Sequence, residues 1–215
     1  MIARAYGGGR HQECRKIAEQ TMLTELIIVL VFQVVLYFQA PLFLGFFSKD
    51  AQILSLAQGY MKTIVFGFPF VVIMTVVTAS FQGYGNTKVP MYIAVLMNVV
   101  NIVCGYCFIF GAFGIPGMGI KGAAAALVTA QAVGACTGLY LLYKKKGGLF
   151  RKMPAAHRFF SLDRKCVYEI YTTGIPAALE SMFWQFSAII LSKVILFYGN
   201  QAFAAYQLGI QAEEI

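Results

Sequence analysis

Charge is scarce in this chain: lysine, arginine, aspartate and glutamate make up 12% of its 215 residues, about half the share in a typical soluble domain. A soluble core of this size does not need 59% hydrophobic residues or a mean hydropathy of +0.70, so a soluble globular domain is excluded. Histidine is nearly absent, with only His11 and His157, and the five cysteines, Cys14, Cys104, Cys107, Cys136 and Cys166, are odd in number. A disulfide framework is therefore not indicated. Cys104 and Cys107 form a C-x-x-C inside an uncharged run, but no second cysteine or histidine pair completes a metal site, and both read as small buried filler. No H-E-x-x-H, G-x-S-x-G or G-x-x-x-x-G-K-[ST] occurs, so no catalytic motif points to an enzyme and no cofactor is expected. Gly7 to Gly9 lack the following Lys-Ser/Thr of a phosphate loop and read as a flexible interhelical turn.

Long uncharged runs are what the chain has instead. Val89 to Phe113 is 25 residues without a charge, and about 20 helical residues cross the ~30 Å hydrocarbon core of a bilayer. Leu26 to Phe47 (apolar apart from Gln33 and Gln39), Thr63 to Phe81 and Gly122 to Tyr143 are similar runs. A fifth, from Ile170 to Tyr198, is apolar but carries Glu180 and Lys193, and a sixth begins near Gln201. None has the basic start and small-residue cleavage site of a signal peptide. The expected fold is an all-α polytopic membrane protein, a bundle of transmembrane helices at about 26–47, 63–81, 89–113, 122–143 and 170–198.

The positive charges fall on one side of these spans. Arg4, Arg10, Arg15, Lys16, Lys88, Lys144, Lys145, Lys146, Arg151, Lys152, Arg158, Arg164 and Lys165 share that side, against Lys49, Lys62 and Lys121 on the other. Short cytoplasmic loops hold the excess of basic residues, so the N-terminus and the 144–167 loop are expected in the cytoplasm. The net charge of +8 thus reflects topology, and no nucleic-acid partner is expected. The basic loop also suits anionic lipid headgroups, at about 1 kcal/mol per residue near the surface, but topology accounts for it sufficiently.

Polar groups inside the spans are the candidates for function. Glu180 lies about ten residues into its span and four after Pro176, which places it roughly 15 Å along the helix, near mid-depth. An ionisable side chain there is costly unless it faces a cavity or a partner, and Pro176 removes one backbone hydrogen bond at that level. Trp184 and Ser187 follow on the same helical face. A carboxylate beside an indole suits a lipophilic cation through Coulomb and cation–π attraction; the alternative is a Glu satisfied by another helix. Lys193, near a span end, snorkels to the interface.

Asn98 and Asn101 belong to a stripe with Ala94, Gly105 and Phe108 at helical spacing. Two amides on one face either bond a neighbouring helix or line a water-filled cavity, and spacing alone does not choose between these. Gly134 and Gly138 form a G-x-x-x-G near Ala123 to Ala126, a close-packing device between helices rather than a ligand site. Tyr60, Tyr84, Tyr92, Tyr143, Tyr168 and Tyr198 fall near span ends and read as interfacial anchors.

The run from Ala79 to Gly111 holds a G-x-G-[DN]-T-[KR]-x-P-M turn (Gly83, Gly85, Asn86, Thr87, Lys88, Pro90, Met91), then N-x-x-N and an I-F-G ending. It resembles the junction of the fourth and fifth helices in the multidrug and toxic compound extrusion (MATE) transporters. IARAYGGG at Ile2 to Gly9 is similar to that family's loop between helices two and three, and MGIKGAAAA at Met118 to Ala126 to the start of helix six. GIPAALE at Gly174 to Glu180 and AAYQLG at Ala204 to Gly209 resemble helix seven and the start of helix eight.

The resemblance implies two six-helix lobes around a cavity that opens alternately to each side, and a plasma or inner membrane location. Residues 1–143 would be most of the N-lobe, 144–167 a cytoplasmic interlobe linker, and 168–215 the start of the C-lobe. The remaining transporter helices would be missing from this chain, which then reads as a fragment. The implied activity is antiport: an organic, cationic small molecule leaves in exchange for sodium or protons. Glu180, Trp184, Asn98 and Asn101 would bind substrate or ion. One branch of the family has an aspartate four residues after the second asparagine, where this chain has Gly105, which moves the expected coupling site to Glu180. The alternatives are a lipid-linked saccharide flippase of related architecture, disfavoured because no lysine or arginine lies at mid-depth, and a truncated chain that does not transport.

Overall fold

A computed structural model describes residues 1–45, 51–111, 117–143, 150, 163–197, 205–206 and 208–210. All of its elements are helices: α1 (Ile2–Gly7), α2 (His11–Gly45), α3 (Ala51–Val65), α4 (Phe68–Gly83), α5 (Lys88–Phe110), α6 (Ile120–Tyr143) and α7 (Arg164–Phe197). The span ends expected at Phe47, Phe113 and Tyr198, the start of a helix near Gln201, and most of the 144–167 linker lie outside the described residues. The chain forms two units, Met1–Val167 and Tyr168–Ile215.

Four helices are long and apolar enough to cross a membrane, and a bent pair makes up to five. That pair is α3 and α4, which meet at 45°. Pro69 causes the break, because it has no N–H to return to the carbonyl of Val65 one turn earlier. The Gly67 N–H instead reaches back to Ile64 (2.8 Å) and the Phe66 N–H to Thr63 (3.2 Å). The expected span at 63–81 therefore consists of the last turn of α3 and most of α4.

Helix α2 has 35 residues and is about 52 Å long at 1.5 Å per residue, well beyond the hydrocarbon thickness. Its apolar stretch exposes Val31, Phe32, Val34 and Phe38, while its first turns bury Cys14, Ala18, Glu19, Gln20 and Met22. The core of the first unit gathers at this polar end: Ala18 and Met22 meet Val76, Val77 and Phe81 of α4, Ile93 of α5, Leu142 of α6, and Phe150.

Two of the sequence motifs meet there. The turn after α4 needs a left-handed residue at Gly85 (φ 76°), closed by the Asn86 N–H on the Phe81 carbonyl at 2.9 Å. Ile2 packs so closely on Gly83 that a side chain at that glycine would touch it at 2.7 Å, and the Tyr6 ring lies 4.5 Å from that of Tyr84. Burial holds the Tyr84 phenol above its ordinary pKa.

Helix α6 packs against both α5 and α4 through glycines. A methyl group on Gly122 would penetrate the Phe108 carbonyl. One on Gly138 would meet the Val77 side chain at 2.9 Å, and one on Gly134 would run into the side chain of Met97. This is the small-residue packing that membrane helices use in place of a hydrophobic driving force.

Candidate functional site

In the first unit, the two asparagines separate. Asn101 is half-buried and lines a cavity of about 520 Å³ with Tyr60 of α3, Gly105 and Tyr106 of α5, and Ala123 and Ala126 of α6. Asn98 is exposed and is not part of that lining. Residues three apart on a helix differ by about 60° in direction, and here that angle decides which amide faces the cavity. Gly105 leaves room beside Asn101: a side chain there would first meet the Ala126 methyl, at 4.0 Å.

A second cavity, of about 390 Å³, is lined by Thr75, Thr78 and Gln82 of α4, Met97 of α5 and Gln131 of α6, with Met74 and Val71. The Thr75 hydroxyl donates to the Val71 carbonyl (3.0 Å), whereas the buried carbonyl oxygen of the Gln131 side chain has no hydrogen-bond partner among the described residues. Sequence reading passed over this set. Its signal was present in the i, i+3, i+7 spacing of Thr75, Thr78 and Gln82, but Gln131 joins only through tertiary packing.

In the second unit, Glu180 and Trp184 lie one turn apart on α7 and are exposed, Trp184 to 74%. Among the described residues Glu180 has no ion pair. Pro176 sits inside the continuous helix. The neighbouring hydroxyls are satisfied along the helix itself, Thr172 on Tyr168 (2.7 Å), Thr173 on Glu169 (2.9 Å) and Ser181 on Ala177 (3.0 Å). The Glu180 carboxylate takes no part in these bonds.

A polar cluster at the start of α2 was also missed. Glu19 is 1% exposed and accepts hydrogen bonds from Arg15 Nε (2.7 Å) and Tyr143 Oη (3.3 Å). The Arg15–Glu19 spacing of four was legible as a helical pair, but its burial was not.

The family model described as MatE matches residues 1–107. The chain is 29% identical over 214 residues to a probable multidrug resistance protein NorM of Thermotoga maritima, covering 100% of this chain and 45% of that protein. The chain belongs to the MATE family. A multidrug resistance protein MdtK of Pectobacterium atrosepticum is 24% identical over 98% of this chain and 46% of its own length. The fold of a MOP-superfamily transporter from Pyrococcus furiosus matches with a TM-score of 0.86 at 21% identity, over 99% of this chain and 46% of that one. The chain thus spans about half the length of the curated relatives it matches. MATE proteins are multi-pass membrane transporters rather than enzymes, and their twelve-helix bundle is the architecture to which these helices belong.

Proposed function

We propose that this chain is part of a secondary antiporter of the cell membrane that exports organic cations in exchange for sodium or protons. The observation that carries the reading is Glu180, a carboxylate without a cationic partner among the described residues, one turn from an exposed indole. A lipophilic cation gains Coulomb attraction from the first and a cation–π contact from the second, and a sodium ion or proton competes for the same carboxylate. Exchange then requires only that cation and drug bind the two states of the transporter with different affinity.

The N-lobe contributes polar surface. Asn101 in its cavity, Asn98 on the adjacent face, and the Thr75, Thr78 and Gln131 group beside Met97 offer hydrogen bonds between adaptable apolar walls. The positive-inside distribution supports a cytoplasmic N-terminus and a cytoplasmic 144–167 loop.

In the transporter that carries this chain, Glu180→Gln keeps the shape and removes the charge. It should abolish cation-driven efflux of a fluorescent cationic dye at unchanged protein level. Efflux at the parental rate would refute the assignment.

A further inference from the structure

The buried polar cluster at the start of α2 has no part in the transport reading, yet its side chains reach two places far along the chain. Its two halves engage different places in the chain. The Arg15 guanidinium donates from Nε to Glu19 (2.7 Å) and from an Nη to the carbonyl of Phe150 (3.2 Å), and lies 5.7 Å from the Tyr143 ring centroid. Phe150 is itself 1% exposed, edge-on to Tyr143 at 5.6 Å, and its N–H returns to the Leu142 carbonyl at 3.1 Å.

One residue further along α2, Lys16 bonds Asp163 Oδ2, and the fully buried Gln20 accepts the Asp163 N–H at 3.1 Å. Asp163 in turn caps α7: its Oδ1 accepts the Lys165 N–H at 3.0 Å, the bond expected of an N-cap residue. Twelve residues lie between Phe150 and Asp163 in sequence, and both are held by side chains of consecutive turns of one helix.

We propose that the polar end of α2 is an anchoring seat that fixes two points of the 144–167 segment. Arg15, itself held by Glu19, holds Phe150, and Lys16 and Gln20 hold Asp163. The first turn of α7 is then placed by α2 directly, and the placement does not depend on an unbroken chain between Phe150 and Asp163. Lys16, Gln20 and Glu19 are positioning residues. The burial of Glu19 and Gln20 distinguishes this end of α2 from a surface ion pair, which would leave its glutamate in water.

Cys166 provides the readout. It is 9% exposed and lies in the first turn of α7, so its alkylation rate reports whether that turn is seated. The transporter is purified in detergent with Cys166 as its single cysteine, and labelling by a water-soluble maleimide is timed. Lys16→Glu should accelerate labelling about fivefold, the effect of losing one partly exposed ion pair. Gln20→Leu should accelerate it as well, while Lys16→Arg should stay near the parental rate. Cutting the chain at a protease site introduced between residues 151 and 158 should leave labelling slow.

Parental labelling in Lys16→Glu would overturn the proposal, and so would rapid labelling after the cut alone, because continuity of the segment would then hold the turn. The measurement needs no transport, so its outcome is separate from that of the Glu180 experiment.

Discussion

Gly122 is the position where the packing makes its sharpest demand. An alanine methyl there would meet three backbone atoms: the Phe108 carbonyl oxygen inside van der Waals contact, its carbon at 2.6 Å, and the Ile109 nitrogen at 3.0 Å. No rotamer change relieves this, because both surfaces are helix backbone. The Phe108 carbonyl is further tied down by the Met118 N–H at 2.8 Å. Overpacking costs about 1–3 kcal/mol, and a backbone clash belongs at the upper end. Alanine recovers roughly 1 kcal/mol over glycine in helix propensity, leaving a net loss of about 2 kcal/mol.

Gly134→Ala is the control. Its methyl would meet only the Met97 side chain, which has three rotatable bonds and borders a cavity of about 390 Å³ into which it can turn. The propensity gain then offsets most of the cost. Thermal unfolding of the purified transporter should show Gly122→Ala lowered by about 4–8 °C, on the scaling of a 150–250-residue domain, and Gly134→Ala within about 2 °C of the parent on the same scale. If Gly134→Ala proves the more damaging of the two, the argument that backbone contact outweighs side-chain contact at this interface fails.

Gly105→Asp should be tolerated, since a Cβ there meets nothing nearer than the Ala126 methyl at 4.0 Å and the carboxylate can extend into the cavity that Gly105 lines; equal expression with a new dependence of dye efflux on external pH would be the signature of a carboxylate placed beside Asn101. Gln131→Leu removes a buried oxygen without a hydrogen-bond partner among the described residues, so it should raise the unfolding temperature or leave it unchanged while weakening dye binding severalfold, read by fluorescence titration. Asp163 has its pKa held below the ordinary 3.8 by the Lys16 hydrogen bond and then by the Lys165 N–H. A depressed folded-state pKa contributes stability above the unfolded value that is lost as pH falls through the folded one. The stability difference between the parent and Asp163→Asn should therefore be constant at neutral pH and shrink only below about pH 4.

The membrane-spanning character of the chain was legible because it depends on the length and composition of single runs, and a bilayer imposes the same requirement wherever a helix lies. The turn chemistry was equally local: Gly85 and Asn86 between α4 and α5 need no distant partner to specify a tight reversal. Even the bend between α3 and α4 was available from Gly67 and Pro69, although 63–81 was read as one span. The family followed from such local motifs, and two of them prove to be pressed together at Gly83 and Ile2.

The direction in which each helix face points could not be read the same way. Asn98 and Asn101 share a stripe in sequence, but α3 and α6 enclose only the second. The G-x-x-x-G at Gly134 and Gly138 drew attention as the packing device, whereas the backbone contact belongs to Gly122, whose MGIKGAAAA run was read for its family resemblance and not for packing. Nothing in the local sequence marks Glu19 as buried, and the hydroxyl that bonds it belongs to Tyr143, more than 120 residues away. Period and composition are properties of one helix and are set by the sequence. Burial, cavity lining and close approach are properties of pairs of helices, and they exist only once the neighbours are in place.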